Sequence, residues 1–195
     1  MKLSEIAQPG MILNMSTTTA IGGLIRMALG KRYIEINGGL DIKHNCPNHD
    51  GIVVPYRGNL YVGDAVYPRC KLTPIEDYDK EIQQGSIYNL RVLRVRVATT
   101  KQHELAAEWW LKNVLGTPYD WYAFPKLLTK ALIGDLFECV AGMRWAWYCT
   151  EGVRDAFASE KVGVKFYEKY HPTPLTTYKR MLDGKLDYIT KLGGN

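Results

Sequence analysis

A thiol attacks an acyl carbon as its thiolate, a form favoured by a helix N-terminus, a neighbouring imidazolium and partial access to solvent. The stretch AWYCTEGVRDAF, residues 146–157, carries Cys149 out of an aromatic run and into the first turn of an expected helix. There its sulfur lies at the positive end of the helix dipole. The backbone N–H of Cys149 can donate to the oxyanion of a tetrahedral intermediate. Taken alone, Cys149 has other readings: a small core residue, a metal ligand or half of a disulfide.

The base for such a thiol must be one of four histidines. His103 falls on the outer part of an amphipathic helical pattern and is expected in solvent. His171 precedes Pro172 in a loop, and His44 lies in a turn-rich segment. His49 opens the strand-like run HDGIVV, where a sheet would hold its ring rigidly. An acceptor that fixes its tautomer belongs on the next strand, and Asp64 in LYVGDAVYP stands there. A turn at Gly58-Asn59 would set His49 opposite roughly residue 68, with Asp64 a few residues away.

A second chemistry competes for the same residues. In HNCPNH, residues 44–49, His44, Cys46 and His49 could supply zinc ligands, with Cys139 or Cys149 as a distant fourth. The second pair of ligands usual for such a module is missing. Cys139 stands at apolar helical spacing and reads as core. The tryptophans Trp109, Trp110, Trp121, Trp145 and Trp147 read as core or cleft wall.

The elements that must position these side chains follow from periodicity and breakers. LSEIAQPGMILNM reads as a short helix, a Pro-Gly turn and a strand. TTTAIGGLIRMALGKR reads as a helix stopped at Gly30, followed by a loop over NGGLDIKHNCPN. HDGIVVPYR, NLYVGDAVYP and YNLRVLRVRV read as strands, the first two joined as a hairpin. TKQHELAAEWWLKNVLG is a helix with Thr100 as its cap and Gly116 as its stop. TPYDWYAF is a turn, KLLTKALIGDLFECVAGMRWAW a broken helix, CTEGVRDAFASE the helix of Cys149, and HPTPLTTYKRMLDG a turn and a last helix. With no internal repeat, residues 1–195 read as one domain of the α+β class, the Cys149 helix packed on an antiparallel sheet.

Composition narrows the partners. Hydrophobic residues make up 46% and charged residues 23%, the balance of a globular protein, and no run is uninterrupted enough to span a membrane. The net charge of +5 comes from scattered residues, and RVLRVRV reads as one solvated strand face, so no nucleic-acid partner is expected. MKLSEIAQPGMIL lacks the features of a secretion signal, so a cytoplasmic location is expected, with delivery outside by a phage or a secretion system left open.

Taken together, HDGIVV, LYVGDAV, LGTPYDW and WYCTEGV resemble the circularly permuted, YiiX-like branch of the NlpC-type papain-like cysteine hydrolases, related to the lecithin retinol acyltransferase group. QPGMIL is similar to that family's pGDIL segment, with Met11 at its Asp, and HPTPLTTY to its closing segment. The order His, acidic orienter, Cys is the same. The resemblance implies a papain-like α+β fold and a triad of Cys149, His49 and Asp64, with the Cys149 backbone N–H as half of an oxyanion hole. It implies hydrolysis of amides or esters in small peptides, glycopeptides or lipid-like acylated molecules, with no metal and no cofactor required. Two departures stand out: Asp64 replaces the commoner Glu, and Gly152 replaces a Leu or Val, which would loosen the packing of the Cys149 helix. The zinc module and an inactive papain-like binding domain remain the alternatives.

Overall fold

The computed structural model describes residues 1–38, 42–120, 147–167 and 172–193. Its centre is one antiparallel sheet in the order β4-β3-β2-β1-β5-β6, built from β1 (Ile12–Thr17), β2 (His49–Tyr56), β3 (Asn59–Asp64), β4 (Lys71–Pro74), β5 (Ile87–Val95) and β6 (Leu186–Leu192). The helices are α1 (Leu3–Ile6), α2 (Ala20–Asn37), α3 (Ile42–Asn45), α4 (Ile75–Gln83), α5 (Thr100–Asn113), α6 (Cys149–Ala158) and α7 (Pro174–Leu182). Among the described residues no helix is long and apolar enough to cross a membrane.

Strands buried on both faces need apolar side chains in both directions, and β2 and β5 supply them. On one face Ile52, Val54 and Leu93 pack under α5 and α6 with Ala106, Trp110, Val153 and Phe157. On the other, Leu13, Met15, Val53, Val62 and Leu90 pack against α1 and α4 with Leu3, Ile75 and Tyr78. A third cluster joins α2 to α7 through Tyr33, Cys46, Leu175 and Tyr178.

Several elements depart from expectation. α2 runs through Gly30 and ends before Gly38, whose φ of 71° gives the left-handed cap that Gly30, buried inside the helix, does not provide. The cap of α5 is Thr99, one residue earlier than expected, with a reciprocal Gln102 bond. α3, β4, α4 and β6 were not foreseen. The expected broken helix over KLLTKALIGDLFECVAGMRWAW lies outside the described residues except for Trp147.

Candidate active site

The hairpin sets the geometry. Tyr56 pairs with Asn59, so the loop is Arg57-Gly58 rather than Gly58-Asn59, and Arg57 and Gly58 have φ of 49° and 82°. Two consecutive positive φ values give the tight turn that matches strand twist. This corrects the expected register: Asp64 faces Gly51, and His49, two residues before Gly51, lies diagonally across on the same face. Gly51 leaves the intervening space open, because a Cβ there would lie 2.7 Å from Val62 Cγ1 and 3.4 Å from Asp64 Oδ1.

Across that space His49 Nε2 meets Asp64 Oδ1 at 3.0 Å. Asp64 is buried and accepts two further bonds, from Thr73 Oγ1 at 2.8 Å and from Tyr78 OH at 2.5 Å. Three donors from β2, β4 and α4 therefore fix one carboxylate. The His49 ring also interacts with the Cys149 side chain. Because Nε2 is given to Asp64, Nδ1 is the nitrogen left for the thiol. Burial alone would push the His49 pKa down, but its bonds to Asp64 and Cys149 and the charges of both outweigh it. The pKa stands well above the ordinary imidazole value.

Cys149 is the first residue of α6 and is 4% exposed. Its N–H is one of the first four in the helix, which have no carbonyl partner within it. The preceding Tyr148 is extended and makes no side-chain cap. Thr150 Oγ1 lies 3.8 Å from the Cys149 sulfur and donates to Asp50 Oδ2 at 2.7 Å. Asp50 is fully buried and also accepts from Asn14 Nδ2 and Thr177 Oγ1, each at 2.7 Å. Burial raises its pKa against these three bonds. Sequence reasoning missed Asp50, Asn14, Thr73, Tyr78 and Thr177. An acidic residue within an apolar strand was the available signal for Asp50.

The expectation that Gly152 loosens α6 is reversed. A Cβ at Gly152 would lie 3.2 Å from Trp110 Nε1, so the glycine lets α6 approach α5 closely. One residue earlier, Glu151 is half-buried beside Arg154, and its burial raises its pKa to about 7.

The remaining candidates are placed elsewhere. His103 is buried, not solvated: Nδ1 faces Gly10 O at 3.1 Å, Nε2 faces Val95 O at 3.3 Å, and burial lowers its pKa. His44 packs edge-on against Tyr88. Cys46 is buried near the Pro47 carbonyl, and Cys70 takes a bond from Thr117 Oγ1; burial pushes their pKa values up to about 12 and about 11. Trp110 is core, and Trp109 stacks edge-on against Trp147 at 5.7 Å. Cys139, His171, Trp121 and Trp145 lie outside the described residues.

No protein-family model matches the sequence, and no curated protein matches it. A solved structure described as metalloprotein YiiX from Escherichia coli O157:H7, DUF1105, is similar over 96% of this chain and 98% of its own, with 19% identity and a TM-score of 0.59. That likeness carries the fold: the chain has the YiiX-like, papain-like α+β architecture, with the Cys149 helix on an antiparallel sheet.

Proposed function

We propose that the protein is a cysteine hydrolase of amide or ester bonds, of the kind found in the permuted NlpC-type branch, and that Cys149, His49 and Asp64 are its triad. One observation carries the reading: the His49 imidazole is bonded to the buried Asp64 carboxylate, at 3.0 Å, and also interacts with the thiol at the start of α6. His49 takes the thiol proton, and the thiolate adds to the substrate carbonyl carbon. The Cys149 N–H receives the oxyanion. Collapse expels the amine or alcohol with the proton that His49 returns, leaving a thioester on Cys149. Water then gives a proton to His49 and adds to the thioester, and the thiolate leaves as the acid is released. Asp64 holds the ring and stabilises its charge. The substrates proposed are small peptides, glycopeptides and lipid-like acyl compounds.

The description of YiiX as a metalloprotein favours a second reading, a metal on the same side chains. The residues here fit it poorly. His49 Nε2 is committed to Asp64, Asp64 is filled by Thr73 and Tyr78, and Cys46 is turned into the core. Among the described residues no three His, Cys, Asp or Glu side chains converge as a metal site. The hydrolase reading is tested with a panel of peptide amides, muropeptide-like fragments and acyl esters, in the presence and absence of a chelator. Product release that survives chelation and disappears in Cys149→Ala supports it. Release that is independent of Cys149, or restored only by added metal, contradicts it.

A further inference from the structure

Asp50 has no part in the chemistry above, yet it is the most connected buried carboxylate beside it. Its Oδ1 accepts from Asn14 Nδ2 on β1, and its Oδ2 accepts from two hydroxyls, Thr150 on α6 and Thr177 on α7. Asn14 Nδ2 also donates to Pro174 O at 2.9 Å, and Tyr167 OH lies 2.7 Å from Thr177 Oγ1. Three protein donors aimed at two oxygens suit a carboxyl group that accepts at both. Among the described residues its bonding partners are neutral groups.

We propose that Asp50 is a positioning residue for the hydrolase site: by anchoring Thr150 from the strand residue next to His49, it sets the first turn of α6, and so the Cys149 sulfur, against the imidazole. The inference rests on the hydrolase reading. The geometry is economical in one respect. Thr150 has one hydroxyl proton, and its 2.7 Å bond commits that proton to Asp50. Thr150 Oγ1, 3.8 Å from the Cys149 sulfur, therefore does not compete with His49 as a donor to the thiolate. The same carboxylate fastens β1 and α7, so the turn that carries the nucleophile is referred to three elements at once.

Among the described residues, the groups around this clamp are few. Facing Asp50 are the neutral Asn14, Thr150 and Thr177, the Tyr167 phenol ahead of α7, and His49 on its own strand. Facing His49 are Asp64 from β3, Cys149 from α6 and, through its charge alone, Glu81 of α4. None of the tyrosines loses its proton at neutral pH, since burial pushes Tyr78 and Tyr167 upward. The low-pH reactivity of Cys149 therefore reports its approach to His49.

Thr150→Val and Thr177→Val make a matched pair, because each removes a hydroxyl bonded to the same oxygen at the same distance. Alkylation of Cys149 by iodoacetamide is followed in the full chain at about pH 6, where an ordinary thiol is almost wholly protonated, and at about pH 9.5, where it is not. Thr150→Val is expected to react about tenfold more slowly at the lower pH and within about twofold of wild type at the higher, with Thr150→Ser restoring the rate. Thr177→Val is expected to lower the melting temperature comparably while leaving the low-pH rate within about twofold. Two results overturn the proposal alone: an unchanged low-pH rate in Thr150→Val, or an equal loss in Thr177→Val, with wild-type Cys149 reactive at about pH 6. A wild-type Cys149 as sluggish at that pH as a free thiol overturns the hydrolase reading, and the role of Asp50 with it.

Discussion

Three donors converge on Asp64, and a carboxylate alone among side chains of its size can accept from all of them. Asp64→Asn keeps the shape but turns an amide NH₂ toward at least one donor. Turnover is therefore expected to fall by an order of magnitude or more, a barrier increase of at least about 1.4 kcal/mol, with the Michaelis constant little changed. Tyr78→Phe removes one acceptor–donor pair and leaves His49 bonded, so it should cost stability of about 1 kcal/mol and only a small part of the rate. Steady-state kinetics and thermal melts separate the two. Equal losses of turnover in both variants would show that Tyr78, not the carboxylate, orients the ring. Glu151 gives a prediction of a different kind. Its folded pKa of about 7 lies above the unfolded carboxylate value, so the folded state binds the proton more tightly. That contribution is fully present below the unfolded pKa of about 4.3 and is lost as pH rises through about 7. Glu151→Gln should therefore stabilise the protein at about pH 8, by roughly 1–3 kcal/mol, and change little at about pH 4. Denaturant titrations at the two pH values check it, and a gain of the same size at both would refute the burial argument.

At the scale of elements, the approach of α6 to α5 depends on Gly152, where any side chain meets the Trp110 indole. Gly152→Leu, which restores the residue type of the related motif, is expected to destabilise by about 1–3 kcal/mol through overpacking, read as a lower denaturant midpoint at unchanged slope. The hairpin shows how far the sequence was legible. Alternation in HDGIVVPYR and NLYVGDAV identified both strands and put His49 and Asp64 near each other. The turn was misplaced by one residue because Arg57 takes a positive φ that a non-glycine residue seldom adopts. A period-2 pattern cannot correct that error where both faces of the strand are buried. His103 was misplaced for a related reason. A polar residue on a helix reads as solvated, yet here the ring lies in the core and can donate its N–H to a backbone carbonyl there. The Asp50 and Asp64 networks were invisible because their donors come from β1, β4, α4, α6 and α7, at separations that no local spacing encodes.

In the whole molecule, both faces of the sheet contribute to one site. α5 and α6 cover the face that brings Cys149, while α4 covers the face from which Tyr78 secures Asp64. His49, at the start of β2, is where the two layers meet: its side chain is 14% exposed against 3% for Asp64, so the imidazole is the more accessible of the pair. The sheet and its two helical layers account for this placement, and the proposed activity rests on whether the thiol is ionised by its neighbour. Competitive alkylation of the folded full-length chain at about pH 6, with each cysteine quantified by mass spectrometry, measures that directly. Cys46 and Cys70, pushed up to about 12 and about 11, should remain unlabelled. Cys149 should label first, at least about tenfold faster than any other cysteine, and His49→Ala should remove that advantage. Preferential labelling of another cysteine, or a Cys149 rate that His49→Ala leaves unchanged, would contradict the account.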